Sequence, residues 1–208
     1  IIGILVAVYI QTILGYSPME AGLILVLPSV VMVVGNIVSD HLFGKVSSKS
    51  LIFSGLLIAG SGNFAMSFAG LSTGIVAIII FMSLRYLGMG MVKMPLTDYG
   101  IGNVPKNLTG HASSMFNWGK QMVTVIATNI LTMVLSINTA RYYAEAGFQG
   151  EIIEGSPSYA ISAVQAVNDV FLILSLFMAA SALLSLLIKE KNKANTLESK
   201  GQPALEKN

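Results

Sequence analysis

The sequence predicts an all-α, polytopic membrane protein with six transmembrane helices. Three observations carry that expectation. Of 208 residues, 54% are hydrophobic and 11% charged, against roughly 25% charged in a typical soluble domain. Mean hydropathy is +0.74. Six apolar runs separated by turn-forming residues approach the length of about 20 residues that a helix needs to cross a hydrocarbon core of about 30 Å. A secretory signal would have a single apolar region of about 7 to 15 residues, so the six runs predict a spanning bundle over 1–188 instead.

The first run, 1–14, is short and begins without methionine, and it reads as the end of a helix that starts further upstream. The second, 20–39, holds Pro28 in mid-run, where a missing N–H predicts a kink. The third, 51–69, places Gly55, Ala59, Gly62, Met66 and Ala69 at alternating spacings of 4 and 3, a small-residue face suited to close helix packing. The fourth, 75–96, carries Gly88 and Gly90, and Pro95 is expected to end it or kink its last turn. The fifth covers 112–136 and the sixth 168–188, with a loop expected over 137–167. Glu20 and Asp169 fall at predicted helix starts, where a carboxylate complements the N-terminal dipole. The segments "GYSPM", "DHLFGKVSSKS", "GLSTG" and "TDYGIGNVPKNLTGH" supply the breaks between runs.

Short cytoplasmic loops collect Lys and Arg. Lys45 and Lys49 follow the second run, Lys106 the fourth, and Lys189, Lys191 and Lys193 the sixth. "GYSPM" and "GLSTG" have neither residue, and 137–167 sets Arg141 against Glu145, Glu151 and Glu154. The odd-numbered helices therefore run outward, and the tail 189–208 is expected to be cytoplasmic, disordered and basic where it leaves the bilayer, beside anionic lipid.

Composition excludes much chemistry. Without cysteine there is no disulfide or thiolate metal site, and His41 and His111 fall in separate segments, so neither metal nor cofactor is expected. A net charge of +2 without a basic stripe gives no footprint for nucleic acid. The nucleophile elbow, the zinc-protease motif and the phosphate-binding loop are all absent from the sequence, which predicts no enzyme.

The informative content is polar and lies inside the apolar runs. In "ASSMFNWGKQMVTVIATNILTMVLS", Ser114, Asn117, Gln121, Thr124 and Thr128 recur at 3, 4, 3 and 4, on one helix face, with Lys120 beside them. Such groups can bond to a neighbouring helix, at about 0.6 kcal/mol each, or line a water-filled cavity. Five in register next to a lysine favour the cavity. In the fourth run Arg85 lies ten residues in, about 15 Å deep and near the midplane, where an arginine costs about 2.5–3.5 kcal/mol unless it faces protein or water. Lys93 is close enough to the cytoplasmic end to snorkel.

Three segments carry a family resemblance: "YIQTILGYSPMEAGLILVLPSVVMVVG", "LRYLGMGMVKMPLTDYGIGNVP" and "GHASSMFNWGKQM". In that order they resemble the C-terminal half of major facilitator superfamily transporters, within the fourteen-helix drug:proton antiporters of bacterial multidrug efflux. The similarity covers most of 5–135. It implies two three-helix inverted repeats, with helices one, two, four and five around a cavity and three and six outside. The N-terminal half, and with it most proton-coupling carboxylates, would lie outside this chain. By the same resemblance Gln11, Asn36, Arg85, Asn117 and Gln121 face the cavity. The sequence departs from the family's gating pattern in the loop after helix two, with Gly44 in place of an Asp and Ser47 in place of a Gly, and "MVTVIA" follows Gln121 where the family has glycines.

The resulting expectation is a bacterial plasma-membrane efflux protein that binds an amphiphilic small molecule between two halves and exchanges it for protons by alternating access. Substrate-cavity candidates are Gln11, Asn36, Arg85, Met89, Asn117, Lys120, Gln121, Thr124 and Thr128, with Met91, Met94, Tyr86 and Trp118 as an adaptable apolar surface. The competing expectation is a non-transporting membrane scaffold or sensor, which needs no aqueous path.

Overall fold

The computed structural model describes residues 2–12, 14–43, 45–70, 73–102, 104–146 and 157–187. These form six α-helices, α1 (Ile2–Thr12), α2 (Pro18–Leu42), α3 (Ser48–Met66), α4 (Ile75–Ile101), α5 (Thr109–Glu145) and α6 (Pro157–Ser185), with a 3-10 turn at Lys106–Leu108. No strand occurs among the described residues, and α2, α4, α5 and α6 are long and apolar enough to span a membrane. The chain is an all-α polytopic membrane protein. The expected tail 189–208 lies outside the described residues.

Local chemistry sets the helix starts. Ser17 caps α2: its Oγ accepts from the Glu20 N–H at 3.3 Å, and Glu20 Oε2 accepts from the Ser17 N–H at 2.9 Å, a reciprocal box ahead of Pro18. Glu20 thus has the capping role its position predicts. Ser47 caps α3 by accepting from the Ser50 N–H. The turn into α4 is tied by Thr73 Oγ1, which accepts from the Gly70 N–H at 2.8 Å.

Both prolines lie inside continuous helices. Pro28 is buried in α2, and Pro95 neither ends α4 nor closes its last turn, since the helix continues to Ile101. Pro95 removes the N–H that would bond to the Met91 carbonyl one turn earlier. Ser39 of α2 donates its hydroxyl to that carbonyl at 2.9 Å, in a buried contact. A neighbouring helix thereby satisfies the freed acceptor, which is what apolar surroundings require.

Lipid chains are as apolar as leucine, so close packing rather than water exclusion joins such helices. α4 runs between α2 and α3. Gly88 and Gly90 are two residues apart, about 200° around a helix of 3.6 residues per turn, and each serves one neighbour. A Cβ on Gly88 would fall inside contact distance of the Gly55 carbonyl and Ala59 of α3, and one on Gly90 would lie 3.0 Å from the Asn36 nitrogen of α2. The whole expected small-residue face of helix three, Gly55, Ala59, Gly62, Met66 and Ala69, is buried. α3 also packs on α6, and α6 on α5.

An apolar core of Val6, Tyr9 and Ile10 from α1, Met66 and Ala69 at the end of α3, Ile78 and Met82 of α4, and Val164, Val167 and Phe171 of α6 gathers at one end of the bundle. Tyr9 donates to the Gly70 carbonyl and Asn168 Nδ2 to the Ala69 carbonyl, each at 2.8 Å, which ties the α3–α4 turn to α1 and α6. This end corresponds to the predicted outer side.

The expected loop 137–167 is largely helical. α5 continues nine residues past its predicted end at Ser136, and α6 begins eleven residues before its predicted start at Asn168. Asp169 is therefore interior to α6 and not a cap. Polar residues in "NTARYYAE" end the apolar run without ending the helix, because Ala, Arg and Glu are good helix formers and Arg141 pairs with Glu145 one turn on, at 2.8 Å.

Candidate functional site

α5 is the most open helix of the bundle. At 37 residues it is about 55 Å long, well beyond a hydrocarbon core of about 30 Å. Among its described residues only Thr139 and Tyr143 are buried. Ser114, Asn117, Lys120, Gln121 and Thr124 are exposed and Thr128 is half-buried.

The hydroxyls of the polar stripe turn back on their own helix. Ser114 donates to the Gly110 carbonyl at 3.0 Å, Thr124 to Lys120 at 2.8 Å and Thr128 to Thr124 at 2.6 Å. These bonds are intrahelical, so they do not join α5 to a neighbour. Lys120 places its ammonium 5.5 Å from the centre of the Phe116 ring, and Phe116 itself packs on Gly100 near the end of α4.

α2 is also open, but its exposed face is apolar, formed by Val26, Leu27, Val30, Val33, Val34 and Ile37. The two faces suit different surroundings. Lipid can cover the aliphatic face of α2, whereas a row of amide, hydroxyl and ammonium groups calls for protein or water.

Arg85 lies one turn outward of Gly88 on α4 and is 8% exposed. Gly62 of α3 leaves room for it, since a Cβ there would lie 2.6 Å from the Arg85 nitrogen. Its guanidinium carbon is 5.3 Å from the centre of the adjoining Tyr86 ring. The buried Nε has no hydrogen-bond partner, and among the described residues the one ion pair is Arg141 with Glu145. Arg85 therefore has no counter-charge among the described residues.

The remaining candidates are spread over several helices. Gln11 on α1 and Asn36 on α2 are half-buried, and Met89 on α4 is exposed. Two clefts on the described surface lie elsewhere: one of about 360 Å³ on the α2 face at Gly22, Leu25, Val26, Ser29, Val30 and Val33, and one of about 490 Å³ between the ends of α5 and α6. Neither is lined by a predicted cavity residue.

Sequence reasoning missed a second polar centre. Asp169 Oδ2 accepts from the Asn138 Nδ2 at 3.0 Å and from the Tyr142 hydroxyl at 2.7 Å, joining α6 to α5. A signal for it existed: the 3 and 4 spacing of the stripe, continued through Leu131 and Leu135, arrives at Asn138 and Tyr142. Because 3.5 and 3.6 differ, that row drifts by about 20° per heptad. It starts on the open face and ends against α6.

An open polar helix face and a buried arginine, within an all-helical bundle with four helices long and apolar enough to span a membrane, define a polytopic membrane protein with polar groups set among apolar helices. The family model for the Major Facilitator Superfamily matches residues 1–128, and the chain belongs to that family of membrane transporters. It is 23% identical to the uncharacterized MFS-type transporter YhcA of Bacillus subtilis, over 91% of this chain and 42% of that protein. It is 25% identical to the lincomycin resistance protein LmrB of Listeria innocua, over 91% of this chain and 39% of that one. It is also 25% identical to the tetracenomycin C resistance and export protein of Streptomyces glaucescens, over 63% of this chain and 24% of that protein. The chain spans about two fifths of the length of the first of these relatives.

Proposed function

We propose that this chain is the C-terminal half of a bacterial plasma-membrane efflux transporter, which binds an amphiphilic small molecule between two halves and exchanges it for protons by alternating access. The observation that carries the proposal is the open polar face of α5, Ser114 to Thr128, where the hydroxyls of Ser114, Thr124 and Thr128 bond within the helix. A row of this kind is stable in a membrane when it borders an aqueous cavity. Relatives named for lincomycin resistance and tetracenomycin C export favour a drug-like substrate.

In this reading the open faces of α2 and α5 meet an N-terminal half. The substrate lies near the midplane against Gln11, Asn36, Met89, Asn117, Lys120, Gln121, Thr124 and Thr128, and the tail faces the cytoplasm. Arg85, buried without a counter-charge among the described residues, pairs with a carboxylate of that other half and orders the site. The unbranched side chain of Met89 adapts to varied apolar ligands.

The test is transport by the full-length protein in proteoliposomes, with an amphiphilic fluorescent dye and an imposed pH gradient. Dye movement driven by the gradient, and reduced about tenfold or more in Arg85→Ala at equal protein level, is the expected result. That factor corresponds to about 1.4 kcal/mol of lost stabilisation. Gradient-independent dye distribution, or unaltered transport by Arg85→Ala, would overturn the reading.

A further inference from the structure

Asp169 differs from every other described carboxylate. Glu20 caps an exposed helix start, Asp40 and Glu145 are exposed, and Asp98 belongs to the last turn of α4. Asp169 alone is interior to its helix, half-buried, and held by side chains of a second helix. Both donors, Asn138 and Tyr142, converge on Oδ2, and no described donor reaches Oδ1.

A cleft at the ends of α5 and α6 adjoins this group through Tyr142. It measures about 490 Å³ and is lined by Tyr142, Glu145, Ser158, Ser162 and Gln165, among others. Tyr142 is thus shared: it lines the cleft and donates its hydroxyl to Asp169. Gln165 lies one turn before Asp169 on α6. Tyr142 and Gln165 thus stand between the cleft and the carboxylate.

The same contact governs how α5 is held. The two buried residues of α5, Thr139 and Tyr143, each immediately follow one of the two donors, so the polar bonds and the packing hold the same stretch of helix. The rest of α5 is open. Hydrogen bonds to an ionised acceptor are roughly twice as strong as neutral ones.

We propose that Asp169 is a protonation site on the outer side of the bundle, reached through the α5–α6 cleft, whose charge state sets how firmly the outer part of α5 is held to α6. The proposal rests on the reading of the protein as a proton-coupled transporter. A proton from the outer aqueous phase adds to Oδ1, forming an O–H bond and a neutral carboxylic acid. Oδ2 then becomes the carbonyl oxygen of that acid and accepts from Asn138 and Tyr142 less strongly, so α5 loosens. Loss of the proton restores both bonds.

Among the described residues, other charged or titratable groups around the site are few. From α5, Arg141 acts on Asp169 electrostatically while bonded to Glu145, and Tyr142 contacts it directly. α3 brings no titratable side chain nearer than Lys49 at its opposite end, and α1 brings Tyr9, whose hydroxyl is bonded to Gly70. On α6 itself Tyr159 is ten residues away. Among the described residues Glu145 is therefore the competing titratable carboxyl.

The test is the separation of spin labels at Ala140 and Ile161, both exposed, in a cysteine-free form of the full-length protein in lipid nanodiscs. Pulsed dipolar spectroscopy follows it as carboxylates titrate, from about pH 8 to about pH 3.5. The native protein is expected to pass from a narrow to a broader, longer distribution on acidification. Asp169→Asn should be broad and independent of pH, Asp169→Glu should keep the dependence, and Tyr142→Phe should already be partly broadened at high pH. A native distribution that ignores pH, or an Asp169→Asn protein that follows pH as the native one does, would overturn the proposal; the latter would assign the response to another carboxyl. The measurement needs neither substrate nor gradient. A pH-dependent separation without proton-driven transport would sink the antiport reading and keep the protonation site, and the converse pair of results would do the opposite.

Discussion

Arg85 and Ser39 illustrate two ways in which one side chain answers a cost imposed by the membrane. Ser39 closes an account within the chain, since its hydroxyl bonds to the Met91 carbonyl that Pro95 leaves without a partner. Ser39→Ala should strand that buried acceptor and cost about 1–3 kcal/mol, read as a lower Tm of the protein in detergent micelles. An unchanged Tm would mean that the carbonyl finds another donor. Arg85 is the opposite case, buried with an unpartnered Nε. Supplying a carboxylate within this half tests that reading: Met82→Glu, one turn from Arg85, should recover part of the transport that a neutralised N-terminal partner loses. Sequence alone exposed Arg85, because charge in an apolar run is visible by inspection. It did not expose Ser39, and it read Asp169 as a cap, because the roles of both depend on which atom of another helix lies opposite.

Among the elements, α4 has the tightest fit and α5 the loosest. Gly88→Ala should drive α3 and α4 apart, because the added methyl would meet the Gly55 carbonyl and Ala59. Overpacking of this kind costs about 1–3 kcal/mol. Gly22→Ala on α2, where nothing lies within 4 Å, should instead leave stability unchanged or raise it by about 0.5–1 kcal/mol. Thermal unfolding of the two variants side by side checks the contrast, and equal effects would contradict the wedge of α4 between its neighbours. The small-residue face of α3 was legible because its 3 and 4 spacing survives folding unchanged. The bounds of α5 and α6 were not, because hydropathy reports the length immersed in lipid while helix formation continues through "NTARYYAE" on propensity and the Arg141–Glu145 pair. That shift of bounds moved Asp169 from a helix end to a helix interior and so changed its chemistry.

At the scale of the molecule, the asymmetry of the open faces matters most. α2 offers aliphatic side chains and α5 offers amides, hydroxyls and Lys120, on a chain that spans about two fifths of the length of its first relatives. Fold class and family were readable from run length, loop charge and three ordered motifs. The cavity was readable only as one polar helix face, because the two clefts described above lie away from the predicted residues. The most direct test of the central claim is therefore single-cysteine labelling of the full-length, cysteine-free protein at Ser114, Asn117, Gln121, Thr124 and Thr128. A membrane-impermeant thiol reagent should label these positions as a set and be blocked by bound substrate, while cysteines at Val30 and Val33 on α2 stay protected. Uniform protection of the α5 positions would contradict an aqueous cavity and leave the helices as a packed scaffold.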